Sequence, residues 1–184
     1  MRACFAISLL VSLLVSLLGI TPVVHAEEIV VDFEQAQIGK PVADWTEKGV
    51  VFKLAGPLTQ SKATGRIMFF PHLATNHKGI LNAMATEQAL PVQATFPTSA
   101  SAVTLVLWGS TGCPALLEAL DKNGAVVDKV SVAAVPGRKA PADPIPFFKL
   151  TVKAPAIAAI RFSGPRDGEF LAADEIRFTT MDTK

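Results

Sequence analysis

Tyrosine is absent from this 184-residue sequence, and tryptophan occurs only at Trp45 and Trp108. Phe33, Phe52, Phe96, Phe162 and Phe178 fall at strand positions that read as core, which leaves few aromatics for a binding platform. Cysteine is as scarce, with only Cys4 and Cys113, and the three histidines are His25, His72 and His77. No Gly-x-Ser-x-Gly elbow, His-Glu-x-x-His pair or phosphate-binding loop occurs, so the common hydrolase, zinc-protease and nucleotide chemistries lack their motifs. Charge of one sign is not in excess, at 17 basic against 16 acidic residues. Such a balance exerts no general pull on nucleic acid or an anionic membrane surface. Past residue 20 no apolar run approaches the length needed to cross a bilayer.

What is present begins with a segment built for export. Arg2 supplies a positive start, Phe5 to Ile20 a leucine-rich run, Pro22 a break, and Val24-His25-Ala26 a cleavage site of the A-x-A type. The run is about 16 residues, shorter than the roughly 20 of a comfortable span. Cleavage after Ala26 is the expectation, and a retained signal anchor is its alternative. No Cys follows the run to carry a lipid. The expected arrangement is a signal helix over 1–26 and one domain over 27–184, periplasmic or extracellular, with no membrane attachment after cleavage. That domain has 158 residues, carries 16 basic and 16 acidic side chains, and suffices for a core without staples. Cys4 leaves with the signal, so Cys113 has no intramolecular partner and is either buried as a small hydrophobe or a free thiol.

The rest of the chain reads as short apolar runs cut by Gly, Pro, Asn and Asp. Expected strands are 28–34, 49–54, 66–70, 91–96, 101–108, 125–132, 147–153, 157–162 and 175–178. The run through Val103, Leu105, Val106 and Leu107 is apolar on both faces, as a central strand should be. Pro114 to Leu120 fits a strand or a helical turn or two; the strand is preferred because Asp121-Lys-Asn-Gly124 then makes a bulged hairpin turn with Gly124 left-handed. Residues 80–89 hold good helix formers and fit a short helix. Four prolines in 136–146 mark one long surface loop. The fold class expected is all-β, an antiparallel sandwich of eight to ten strands.

Three patterns carry a resemblance. The first is Val31-Asp-Phe-Glu, continuing through Trp45 to Gly49-Val-Val-Phe. The second is Leu117-Glu-Ala-Leu-Asp-Lys-Asn-Gly-Ala-Val-Val. The third is Ile160-Arg-Phe-Ser-Gly followed by Ala173-Asp-Glu-Ile-Arg-Phe. In that order they resemble the galactose-binding-like jelly roll of secreted bacterial proteins, over nearly the whole of 27–184. The resemblance implies a jelly-roll sandwich whose members bind sugars, bind proteins or serve larger surface enzymes; fold does not choose among these. It also implies a structural calcium where first and last strands meet, with Asp32, Glu34, Asp174 and Glu175 in those places. Strand alternation offers another reading. With Phe33 and Ile176 inward, Glu34, Glu175 and Arg177 point out, and Arg177 pairs with Asp32 or Glu34.

For ligands, Trp45 and the Phe69-Phe70 pair are the candidate platforms. The loop 71–79 adds donors from His72, Asn76, His77 and Lys78, unless the aromatics are simply packed. His72 and His77, five apart, share no face of a helix or strand and make a poor metal pair. Cys113 with a histidine is the one conceivable nucleophile pair, and no motif surrounds it. The functional expectation is a secreted non-catalytic module for a protein or surface polymer. A carbohydrate-binding module is the first alternative and a Cys113/His enzyme the second. A glycan or an envelope or extracellular protein is the expected partner, nucleic acid is not, and no cofactor is expected beyond that calcium.

Overall fold

A computed structural model describes residues 26–55, 67–69, 77–81, 90–164 and 169–181. The signal segment 1–25, and residues 82–89 of the expected short helix, lie outside the described residues. Among the described residues ten strands follow one another: β1 (Ala26–Val31), β2 (Thr46–Glu47), β3 (Val50–Leu54), β4 (Ile67–Phe69), β5 (Lys78–Leu81), β6 (Val92–Gly109), β7 (Ala115–Leu120), β8 (Val126–Val132), β9 (Phe148–Ser163) and β10 (Leu171–Met181). A 3-10 turn, η1 (Val42–Asp44), precedes β2. Every pairing is antiparallel, in the order β4-β5-β10-β6-β9-β7-β8, with β1 added to β10 and β2-β3 to β6.

Two long strands turn this one hydrogen-bonded array into a sandwich. β6 joins what the sequence suggested as two strands, 91–96 and 101–108, and β9 joins 147–153 and 157–162. Each passes from one layer to the other where its ladder breaks. Pairing jumps from Thr95 to Ala100 on β6 and from Lys153 to Ile157 on β9. Pro97 and Pro155 occupy these gaps, where a residue without an N–H removes nothing from the ladder. The first half of β6 and second half of β9 lie between β3 and β7-β8. The second half of β6 lies between β10 and the first half of β9.

The inner faces interlock through aromatics. Phe33 meets Phe52 edge-on at 5.5 Å, and Phe96 lies 4.6 Å from Phe178. Val103, Leu105, Leu107, Phe162 and Ile176 are buried with them. Removing a ring such as Phe162 typically costs about 3–5 kcal/mol.

Several details revise the sequence reading. β1 ends at Val31 rather than running to Glu34, because Phe33 takes φ 59° and swings its ring inward through a turn. Val31 still lies opposite Ile176, so first and last strands are neighbours. Residues 115–120 form a strand, and Gly124 has φ 81°, with a bulge between Ala119 and Leu120. Arg177 pairs with Glu175 and with Glu28, at 3.6 Å, not with Asp32 or Glu34. The early end of β1 turns Asp32 and Glu34 away from that ladder.

Candidate functional site

Two of the expected ligand-binding residues and two of the expected calcium ligands come together in one cluster. Lys78 donates its N–H to Glu34 Oε1 at 3.0 Å and its ammonium to the Glu34 carbonyl at 2.5 Å. His77 Nδ1 stands 3.4 Å from Asp174 Oδ2. Asp174 is 6% exposed, and its Oδ1 is buried without a hydrogen-bond partner among the described residues. Burial pushes the Asp174 carboxyl above its ordinary range; His77 opposes this, and Glu175 and Glu34 add to it.

The other expected residues are placed differently. The Trp45 ring packs half-buried on the main core, with Nε1 buried and unpartnered among the described residues. The Phe69 backbone lies opposite Lys78 in the β4-β5 ladder. Phe70, His72 and Asn76 are outside the described residues. Asp32 Oδ1 accepts the Glu34 N–H at 3.2 Å, and Glu175 holds Arg177. The four carboxylates thus serve different partners. No group of three or more His, Cys, Asp or Glu side chains is arranged to hold a metal among the described residues.

Cys113 is fully buried, with Sγ 4.0 Å from the Phe170 carbonyl. Burial, with Glu169 adding to it, pushes its thiol up to about 11. A nucleophile needs the opposite shift, and the partner of His77 is Asp174.

A site the sequence reading missed lies at the end of the sandwich beyond Gly109. The turn after β6 and the segment before β10 bind each other reciprocally. Ser110 donates its N–H to the Phe170 carbonyl, and Phe170 donates its N–H to Ser110 Oγ, both at 3.0 Å. The loop 133–147 is pinned to the same turn by Gly112 N–H to Val135 O at 2.9 Å and Val135 N–H to Cys113 O at 2.8 Å. Gly137 lies so close that a Cβ there would stand 2.3 Å from Thr111 Cγ2. Arg138 Nη1 donates to Pro141 O at 3.0 Å, and Ala140 N–H to Asp143 Oδ2 at 2.8 Å, which shape the loop's outer half.

These contacts enclose a cleft of about 450 Å³. Phe170 and Ile145 give it an apolar floor, resting with Phe147 on a small cluster around Trp108, whose ring meets Phe170 edge-on at 5.1 Å. Ser110, Thr111, Arg138 and Lys139 supply hydroxyls and cations at its walls. Neither Arg138 nor Lys139 has a carboxylate within ion-pair distance among the described residues. An apolar floor with a few convergent polar groups is the usual make-up of a ligand site. The available signal was the proline-rich 136–146 loop with adjacent cations, since long loops without secondary structure are often functional.

The geometry defines an antiparallel jelly-roll β-sandwich with a loop-end cleft. No family model matches the sequence, and no curated protein matches it. Solved structures share its fold. The K1 cleaved adhesin domain of Lys-gingipain from Porphyromonas gingivalis is 10% identical with TM-score 0.54, over 84% of this chain and 98% of that one. The K2 cleaved adhesin domain of Lys-gingipain is 14% identical with TM-score 0.53, over 84% and 100%. An arabinose-bound α-L-arabinofuranosidase is 10% identical with TM-score 0.52; 85% of this chain matches, spanning only 27% of that enzyme. At these identities the likeness is one of fold. Among the described residues no helix is long and apolar enough to cross a membrane.

Proposed function

We propose that this chain is an exported, non-catalytic binding module whose ligand is a glycan of a surface polymer, held in the cleft between Ser110, Arg138 and Phe170. The observation that carries this reading is the cleft itself. It has an apolar floor for a sugar's C–H face, the hydroxyl-bearing Ser110 and Thr111 in its lining, and two cations that no carboxylate among the described residues neutralises. Catalysis is disfavoured because the Cys113 thiol is buried with its pKa raised, and His77 faces Asp174. The same jelly roll occurs in adhesin domains, a context that suits binding without choosing the ligand.

A glycan array probed with the protein from an exporting host tests this. A sugar-bearing probe is expected to bind, and Arg138→Gln/Lys139→Gln to weaken it by about ten-fold, which is 1.4 kcal/mol, with the unfolding midpoint unchanged. Silence across the array, with one envelope protein recovered by pull-down, would replace the glycan reading by a protein partner.

A further inference from the structure

A second surface is built by the register of β3, β6, β9, β7 and β8. Across β3, β6, β9, β7 and β8 the directly opposed residues are Lys53, Gln93, Arg161, Glu118 and Lys129. Opposed residues in antiparallel strands share a face, so these five form one polar row. Four strand spacings of about 4.8 Å make it roughly 19 Å long. The next row on that face is Val51, Thr95, Ala159, Leu120 and Val126, and neither row contains an aromatic side chain.

The charges on this face are unevenly satisfied. Arg161 Nε donates to Glu118 Oε2 at 2.8 Å, so that pair is internally neutral. At the hairpin beside it, Asp121 Oδ1 accepts the N–H groups of Asn123 at 2.8 Å and Ala125 at 2.9 Å, which fix the carboxylate in the turn and hold it ionised, one anion in the lining of the cleft against Lys53 and Lys122. Asp128 is turned to the Lys153 N–H at 2.7 Å. Lys53, Lys122 and Lys129 have no carboxylate within ion-pair distance among the described residues. The hairpin and the strands enclose a cleft of about 370 Å³, in which Lys53, Lys122 and Arg161 stand with the amides of Gln93 and Asn123 and the Thr95 hydroxyl.

We propose that this face is a second binding surface, for an acidic polysaccharide laid across the strands. Its carboxylates would meet Lys53, Lys122 and Lys129, and its hydroxyls Gln93, Thr95 and Asn123. The length of the row favours a chain over a single sugar. Amides and a hydroxyl among cations suit a polyhydroxylated anion, whereas single-stranded nucleic acid is usually held on aromatic stacking platforms. The inference rests on residues separate from the loop-end cleft and stands whether or not that cleft takes a glycan.

Affinity electrophoresis through polygalacturonate, with pullulan as the neutral polymer and oligothymidylate as the nucleic acid, tests it. The protein is expected to be retarded by polygalacturonate, less so as salt screens the lysines, and not by pullulan. The variant Lys53→Gln/Lys122→Gln/Lys129→Gln should lose about ten-fold in affinity with its unfolding midpoint unchanged, while Arg138→Gln/Lys139→Gln stays within about two-fold of wild type. Monomeric galacturonate at equal uronate concentration should not compete. No retardation, an unaffected triple variant, equal retardation by pullulan or oligothymidylate, or full competition by the monomer would each overturn the proposal.

Discussion

His77 Nδ1 and Asp174 Oδ2 stand 3.4 Å apart across a sequence separation of 97 residues, joining the start of β5 to β10. Half of the Asp174 carboxylate is satisfied by this contact; the other half is buried with no partner among the described residues. Burial raises the Asp174 pKa above the ordinary 3.8, so the folded chain holds this proton more tightly than the unfolded chain does. Its contribution is favourable below about pH 3.8 and is lost as pH rises through the raised folded value. Asp174→Asn should therefore match or exceed wild type in stability at pH 7 and lack that part of the pH dependence. Denaturant unfolding from pH 3 to 7 measures it, and a strongly destabilised Asn variant at pH 7 would count against it.

Cys113 should be inert in the native protein. With the thiol buried and its pKa about 11, alkylation by iodoacetamide at pH 8 is expected to proceed only as fast as the chain opens. Full labelling within minutes under native conditions, monitored by mass, would show an accessible thiolate instead.

Gly137 holds the long loop against Thr111. A methyl there overlaps Thr111 Cγ2, so Gly137→Ala should cost about 1–3 kcal/mol, the usual range for overpacking. It should also weaken any ligand of the loop-end cleft more than it weakens polygalacturonate binding. Equal losses at both surfaces would mean the loop does not shape the cleft.

Calcium should leave the unfolding midpoint unchanged between chelator and millimolar metal. Asp32, Glu175 and Glu34 are directed to Glu34 N–H, Arg177 and Lys78 respectively, and a ligand that binds only the folded state raises stability by mass action. A calcium-dependent rise of several degrees would reveal a different carboxylate arrangement.

The exported product should begin at Glu27. In the fold Glu27 already pairs with Thr180, so cleavage after Ala26 leaves β1 with five of its six residues. Intact mass of the secreted protein decides this; retention of residues 1–26 would favour an anchor.

Much of the architecture was legible because it rests on local signals. Alternating apolar residues marked the strands, Asp121 to Gly124 marked the hairpin, and the double-faced apolar run at Val103 to Leu107 marked the central strand. The length of β6 and β9 was not legible. A proline inside an apolar run reads as an end, whereas here Pro97 and Pro155 stand at corners where the ladder is already broken.

The candidate sites divide along the same line. The residue types around 71–79 and at the first and last strands drew attention by themselves, and His77, Lys78, Glu34 and Asp174 do meet. The loop-end cleft and the polar row did not stand out, because each is made by residues distant in the chain. By itself the sequence determined the all-β class and the poverty of tyrosine, tryptophan and catalytic motifs, since these follow from composition, periodicity and turn chemistry, while the neighbouring of first and last strands came from the family resemblance. Only the tertiary structure decided that Phe170 floors a cleft walled by Arg138, and that Lys53, Gln93, Arg161, Glu118 and Lys129 align. Strand register and loop docking are set by which side chains fill the shared core, and no local stretch of sequence encodes that.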